Sequence, residues 1–304
     1  MRVGVTGASG LIGSALVEAL LARGDDVVRF TRGPSSDPGH VAWDPERGWV
    51  DRVALASAGP LDAVVNLAGV GIGDRRWSVA RKAAIVNSRV AATAALCDAL
   101  AAVGPPASLV SGSAVGYYGS REDDVLDESS RGGQDFLAAL CARWEEVAGA
   151  LRSGSTAVAL ARSGIVMSAA GGALAKQLPL FRAGLGGRLG SGRQWVSPVS
   201  RRDEVRALLF AIDRRLDGPI NVVAPLPVTN AQLTTALAHR LHRPGVVRVP
   251  RAALRLVLGE LADGAVLASQ RATPRVLLGE GFTFLDADLE AILTTALADR
   301  ARRN

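Results

Sequence analysis

Apolar positions along the chain follow two alternating rhythms. Short apolar runs near 2–5, 26–30, 62–66, 107–112 and 156–161 predict strands, and stretches at helical spacing near 11–23, 78–102 and 135–151 predict helices between them. Ala63-Val64-Val65-Asn66 and Ser108-Leu109-Val110 lack polar alternation, as expected of strands covered on both faces. Strands alternating with helices predict an α/β fold built on a doubly wound parallel sheet. After Val166 the rhythm breaks. The glycine-rich segment Gly171 to Gly192 reads as a loop facing a ligand rather than a core element. Helices near 203–214 and 229–241 then flank a short strand at 219–222, and helices near 250–260 and 286–299 complete a smaller α/β C-terminal part.

The first apolar run ends in Thr6-Gly7-Ala8-Ser9-Gly10-Leu11-Ile12-Gly13 and gives way to a helix. A strand, a glycine turn and a helix in that order aim unpaired backbone N–H groups and the positive end of a helix dipole at one point, where a pyrophosphate can sit. Gly7 permits the tight turn, Gly10 lets the backbone approach phosphate, and Gly13 lets the helix pack against the strand. Simple helix–strand packing is the competing explanation. The second strand ends in Thr31-Arg32, where an NAD site normally carries an acid for the ribose hydroxyl. A hydroxyl and a guanidinium suit the extra phosphate of NADP instead, so NADP(H) is the expected cofactor.

With 304 residues and 48% apolar content, the chain can bury a large core. No uncharged apolar stretch reaches the length of a membrane helix, and the first strand begins almost at once, so the expected location is the cytoplasm, with no membrane and no leader. The net charge of +6 raises the question of nucleic acid, but Lys82 and Lys176 are the only lysines and the arginines are spread along the chain. That distribution argues against a nucleic-acid partner and for attraction of small anions. Two cysteines and three histidines, scattered in sequence, give neither a disulfide framework nor a metal-ligand spacing.

These residues carry a resemblance. The chain resembles the extended short-chain dehydrogenase/reductase superfamily, and within it the NAD-dependent epimerase/dehydratase-like branch of sugar-nucleotide epimerases. The likeness runs through Trp43-Asp44-Pro45, Asn66-Leu67-Ala68-Gly69, Arg76-Trp77, Ser88-Arg89 and Ser111 to Gly119. It continues in Trp144-Glu145, Arg162 to Val166 and Pro179 to Gln194, and its tail resembles that branch's small C-terminal domain of unassigned role. The resemblance implies an NADP-binding Rossmann domain over 1–167 plus about 200–226, and a substrate domain over about 168–199 plus 227–304. It also implies that Leu67, Ala68 and Gly69 line the adenosine end of the cofactor, that Arg89 lies within its reach, and that Ile165 and Val166 close over the nicotinamide end. With Gly7, Ser9, Gly10, Leu11, Ile12, Gly13, Thr31 and Arg32 these form the expected cofactor site. Arg182 and Arg193 are the expected substrate cations, for a small molecule of nucleotide-linked type. By analogy with the superfamily, the helices near 78–102 and 135–151 offer a homodimer surface.

The chemistry departs from that pattern. The superfamily uses a Tyr-x-x-x-Lys pair, in which the lysine charge lowers the tyrosine pKa. This chain cannot form it: its two tyrosines are Tyr117 and Tyr118, followed four residues on by Arg121 and Glu122. The helix that should carry the pair, Phe136 to Glu145, reads as a packing face. Ser113 matches the superfamily hydroxyl that orients a substrate oxygen, and Tyr117 or Tyr118 is the remaining candidate for proton exchange. A segment that in the branch reads close to Trp-Ile-His-Ile-Asp-Asp here has Pro198, Ser200 and Arg202 in place of the tryptophan, histidine and first aspartate. Two classes of function stay open: an NADP-dependent epimerase or oxidoreductase, and a non-catalytic NADP(H)-binding sensor.

Overall fold

The computed structural model describes residues 1–33, Asp37 and 39–299. The strands begin with β1 (Arg2–Thr6), β2 (Asp26–Arg32), β3 (His40–Asp44), β4 (Trp49–Val50), β5 (Ala63–Asn66) and β6 (Ser108–Ala114). They continue with β7 (Val125–Leu126), β8 (Ala157–Ser163), β9 (Ile165–Met167), β10 (Gly187–Leu189), β11 (Trp195–Val196), β12 (Pro198–Ser200) and β13 (Gly218–Val222). Eight of them form one sheet in the order β13-β8-β6-β5-β1-β2-β3-β4. Every pairing in it is parallel except the β3–β4 hairpin. The strand order reverses beside β1, so a crevice opens between the tips of β5 and β2.

Helices cover both faces. In chain order they are α1 (Leu11–Ala22), α2 (Arg52–Ser57), α3 (Val79–Asn87), α4 (Val90–Val103), α5 (Phe136–Gly149), α6 (Gly172–Arg182) and α7 (Arg201–Asp213). The remainder are α8 (Asn230–Arg240), α9 (Arg251–Leu258), α10 (Arg275–Gly279) and α11 (Leu289–Ala298). On one face α1 and α7 bury Leu16, Leu20, Leu208 and Ile212 against Val3, Val5 and Val65. On the other, α4 buries Leu96 and Leu100 against Val64 and Leu109. The stretch Val79–Val103 is long and apolar enough by composition to cross a bilayer, yet 44% of its window is buried inside the fold. It is also two helices rather than the one expected: α3 ends at Asn87 with Ser88 as its C-cap, and α4 restarts with Arg89 at its N-cap position.

A second core joins Leu174, Leu178 and Phe181 of α6 to Leu233 and Leu237 of α8 and to Ile292 and Leu293 of α11. Two sequence expectations change here. The glycine-rich segment is not a loop throughout: Leu174, Leu178 and Phe181, at helical spacing, fold its first half into α6. The tail also divides. Leu277, Phe282 and Phe284 pack into the first core, so this part of the expected substrate domain is fastened to the core of the main sheet, and residues Arg271–Ala272 pair with β7 in a separate two-stranded sheet. Residues 300–304 of that expected domain lie outside the described residues.

Candidate cofactor and substrate site

The turn after β1 is built by steric exclusion. Gly7 has φ +64°, and a Cβ on it would stand 2.8 Å from the carbonyl carbon and oxygen of Leu67 at the β5 tip. A Cβ on Gly13 would stand 2.1 Å from the carbonyl oxygen of Gly7. Only bare backbone lets the turn, the helix and the neighbouring strand approach so closely. The helix that follows starts with no side-chain cap and no acid in its first turn. By contrast, Asp51, Asp135, Ser200, Thr229 and Asp288 cap α2, α5, α7, α8 and α11 with side-chain oxygens. The first-turn N–H groups of α1 have no side-chain acceptor, as at α4, α6, α9 and α10, but at α1 they follow the glycine turn and are open to an anion.

That helix end opens on a cleft of about 700 Å³. Its walls include Gly7, Ser9, Gly10, Thr31, Arg32, Leu67, Ala68 and Gly69 of the expected cofactor residues. Sequence reasoning missed Arg29, Trp43, Pro45 and Glu46, which line it too. The last three arrive on the β3–β4 hairpin, whose strands are too short to be apparent from periodicity. Arg29 is half-buried and Arg32 exposed, and among the described residues neither meets a carboxylate within ion-pair distance. Glu46 brings an acid to the same wall. A hollow of about 710 Å³ that shares Trp43, among Asp44, Arg47, Trp49 and Asp51, lies away from the glycine turn after β1, and the helix N-terminus it meets, that of α2, is already capped by the Asp51 carboxylate.

Beneath the cleft a buried polar chain fixes the strand tips. Thr6 Oγ1 donates to Asn66 Oδ1 at 2.7 Å and accepts from the N–H groups of Leu67 and Ala68 at 3.0 and 3.2 Å. Asn66 Nδ2 and Trp144 Nε1 both donate to Thr93 Oγ1, at 2.8 and 2.9 Å. Arg89 lies directly behind Gly69, where a Cβ would come within 2.9 Å of its Cζ. Its guanidinium donates to the carbonyls of Val70 and Ile85 and sits 5.4 Å from the Trp144 ring. Burial pulls its pKa below the usual arginine value. A partly buried cation without a carboxylate is receptive to an anion.

Outside the cleft wall, Leu11 reaches the start of α6, since a Cβ on Gly171 would meet it at 3.2 Å. Ile12 packs on the first core. Ile165 and Val166 are half-buried on β9, paired with Pro198 and Val199 of β12. The substituted segment around Ser200 is structural: Ser200 Oγ caps α7 by accepting from Asp203 N–H at 3.1 Å, and Arg202 pairs with Asp286 at 2.7 Å. Arg182 and Arg193 are both exposed, on α6 and in the loop after β10, and no carboxylate among the described residues pairs with either.

The tyrosines stand differently from expectation. Tyr118 is fully buried; its hydroxyl donates to Asn221 Oδ1 at 2.7 Å and accepts from Arg162 Nη1 at 3.1 Å. Burial pushes its phenol up to about 12. A phenol so placed is enclosed and has its hydroxyl engaged on both sides, which stands against its expected part in proton exchange. Tyr117 lies with its ring 3.5 Å from the Arg162 guanidinium and edge-on to Tyr118. Cation–π stacking is what orients it.

The helix taken as a packing face holds a buried charge. Glu145 of α5 receives Arg162 Nε and Nη2, both at 2.8 Å, and the hydroxyl of Ser113 at 2.7 Å. Its signal in the sequence was a carboxylate on the same face as Leu137, Cys141, Trp144 and Ala148, a place where an acid persists only with partners.

Comparison with known proteins agrees with this architecture. The NAD dependent epimerase/dehydratase family matches residues 3–223, and a domain of unknown function, DUF1731, matches residues 249–296. Epimerase family protein Mb2239 of Mycobacterium bovis is 47% identical over 283 residues, 93% of each chain. The crystal structure of human epimerase family protein SDR39U1 with NADPH superposes with a TM-score of 0.88 at 34% identity, covering 97% of this chain and 99% of that one. A nucleoside-diphosphate sugar epimerase from Corynebacterium glutamicum gives a TM-score of 0.78 at 33% identity, over 99% of this chain and 59% of that one. This chain belongs to the NAD dependent epimerase/dehydratase family and carries that family's Rossmann-like sheet together with a C-terminal DUF1731 domain.

Proposed function

We propose that the chain binds NADP(H) in the cleft above β1 and acts on a hydroxyl or carbonyl of a nucleotide-linked substrate. The observation that carries this reading is the uncapped N-terminus of α1 opening on a cleft whose far wall holds Arg29 and Arg32. Main-chain donors suit the pyrophosphate, and the two guanidinium groups suit a 2′-phosphate. The NADPH in the human relative supports the same assignment. When bound, the dinucleotide supplies a carbon that takes or gives hydride. The protein's part is to hold it through Gly7 to Gly13, Thr31 and Arg32, to flank it with Leu67 to Gly69 and Arg89, and to present Ser113 to the substrate oxygen. Arg182 and Arg193 are the cations proposed for the substrate's own anionic part. The nucleoside-diphosphate sugar epimerase likeness supports the substrate class.

One observation favours the alternative, an NADP(H)-binding sensor without turnover: Tyr118, one of the two phenols available for acid–base work, is buried and fully engaged. Titration of NADPH fluorescence followed by single-turnover hydride transfer with UDP-sugars separates the two. Tight NADPH binding with no transfer to any UDP-sugar supports the sensor; transfer abolished by Ser113→Ala supports the enzyme.

A further inference from the structure

A serine hydroxyl has one hydrogen to give. In Ser113 that hydrogen is directed at Glu145 Oε1, 2.7 Å away, inside the fold. The acceptor is hard to displace. Glu145 is 8% exposed and its two oxygens are gripped by the fork of Arg162, which is 3% exposed. Both carboxylate oxygens thus face donors, Arg162 Nε and the Ser113 hydroxyl on Oε1 and Arg162 Nη2 on Oε2, and a carboxylate gripped by a guanidinium fork serves as the acceptor. The adjacent Cys141 does not compete for the hydrogen, because burial pushes its thiol up to about 12 and leaves it a weak acceptor. Arg162 is itself locked from the far side by the Tyr118 hydroxyl, which Asn221 holds in turn.

Resting on the reading that Ser113 meets the substrate oxygen, we infer that Glu145 is a positioning residue that fixes Ser113 as an acceptor toward that oxygen. The site then selects a ligand group that donates a hydrogen bond, a hydroxyl rather than a carbonyl. This reverses the role expected of Ser113 from the superfamily, in which the serine orients a substrate oxygen alongside a phenol that supplies the proton.

The test is neutron diffraction from deuterium-exchanged crystals of the full chain at neutral pH, without added dinucleotide. A deuteron between Ser113 Oγ and Glu145 Oε1, with none on the carboxylate itself, is the expected result. A Ser113 deuteron turned away from Glu145, or a deuterated Glu145 donating to Ser113, overturns the inference. The double variant Glu145→Leu/Arg162→Met removes the acceptor and its counter-charge together, which buried ion pairs tolerate better than loss of one partner. In it the Ser113 deuteron is expected to turn away from α5. In solution, UDP-glucose and UDP-4-keto-6-deoxyglucose are titrated into the NADPH complex. The wild-type preference for the hydroxyl form is expected to fall about tenfold in the double variant, the weight of one net hydrogen bond. An unchanged preference counts against the inference. Absence of NADPH binding would overturn the cofactor assignment instead, and the deuteron position, which needs no ligand, still decides this one.

Discussion

Replacing Gly13 by alanine places a methyl group where the carbonyl oxygen of Gly7 already lies. The ideal Cβ position is 2.1 Å from that oxygen, 2.8 Å from its carbon and 3.0 Å from the Ala8 Cα. All three are backbone atoms, so no side chain can swing aside. Restoring an ordinary contact requires the turn and α1 to separate by about 1 Å, a strain of about 2–3 kcal/mol at the upper end of overpacking effects. At about 2–4 °C per kcal/mol for a chain somewhat smaller than this one, the unfolding midpoint should fall by about 4–12 °C. The same displacement pulls the first-turn N–H groups away from the phosphates. Loss of even one charge-assisted bond weakens NADPH at least about tenfold. Differential scanning calorimetry and NADPH fluorescence titration measure the two effects. Gly10→Ala, whose Cβ would lie 3.2 Å from the same oxygen, should be much milder, and Gly279→Ala, in α10 with open space around it, should leave affinity unchanged and should not lower the midpoint. Gly13→Ala with wild-type affinity and midpoint would refute the close-approach argument.

Other outcomes follow from the same structure. Arg32→Asp should weaken NADPH about tenfold and leave NADH within about twofold, an exposed cation being worth little more than that; equal loss for both would remove the 2′-phosphate from the account. Tyr118→Phe leaves Asn221 Oδ1 and Arg162 Nη1 short of a partner and should cost about 1–3 kcal/mol in urea unfolding while NADPH affinity holds; the reverse pattern would restore Tyr118 to the site. Glu204 is wholly buried beside the Ser163 hydroxyl, and burial raises its pKa from 4.5 to about 7. The folded state therefore keeps a proton that the unfolded chain releases. The contribution is fully present below about pH 4.5 and is lost as pH rises through about 7, amounting to about 3 kcal/mol. Urea midpoints of wild type and Glu204→Gln at pH 5 and pH 8 should differ in slope by that amount, and parallel profiles would contradict it.

Much of the main sheet was legible because its strands are continuous apolar runs, and the glycine turn was legible because each glycine answers a separate steric demand. The β3–β4 hairpin was not, since His40-Val41-Ala42-Trp43-Asp44 is short and its role comes from pairing beside β2. Helix α6 was hidden by flanking glycines, although Leu174, Leu178 and Phe181 mark its buried face. Eight of the expected cofactor residues meet at one cleft, whereas the walls contributed by Arg29 and Glu46 left no signal in the sequence. For the tyrosines, composition revealed the missing pair, while only the fold reveals that Arg162, Glu145 and Asn221 converge from β8, α5 and β13 to claim Tyr118. Long-range convergence of this kind leaves no local pattern in the chain.

The most direct measurement is isothermal titration calorimetry of the purified chain with NADPH at neutral pH. Saturable one-to-one binding is expected, weakened by Arg32→Asp and, by at least about tenfold, by Gly13→Ala. Absence of any heat of binding for NADPH and NADP⁺, with the protein folded, would contradict it.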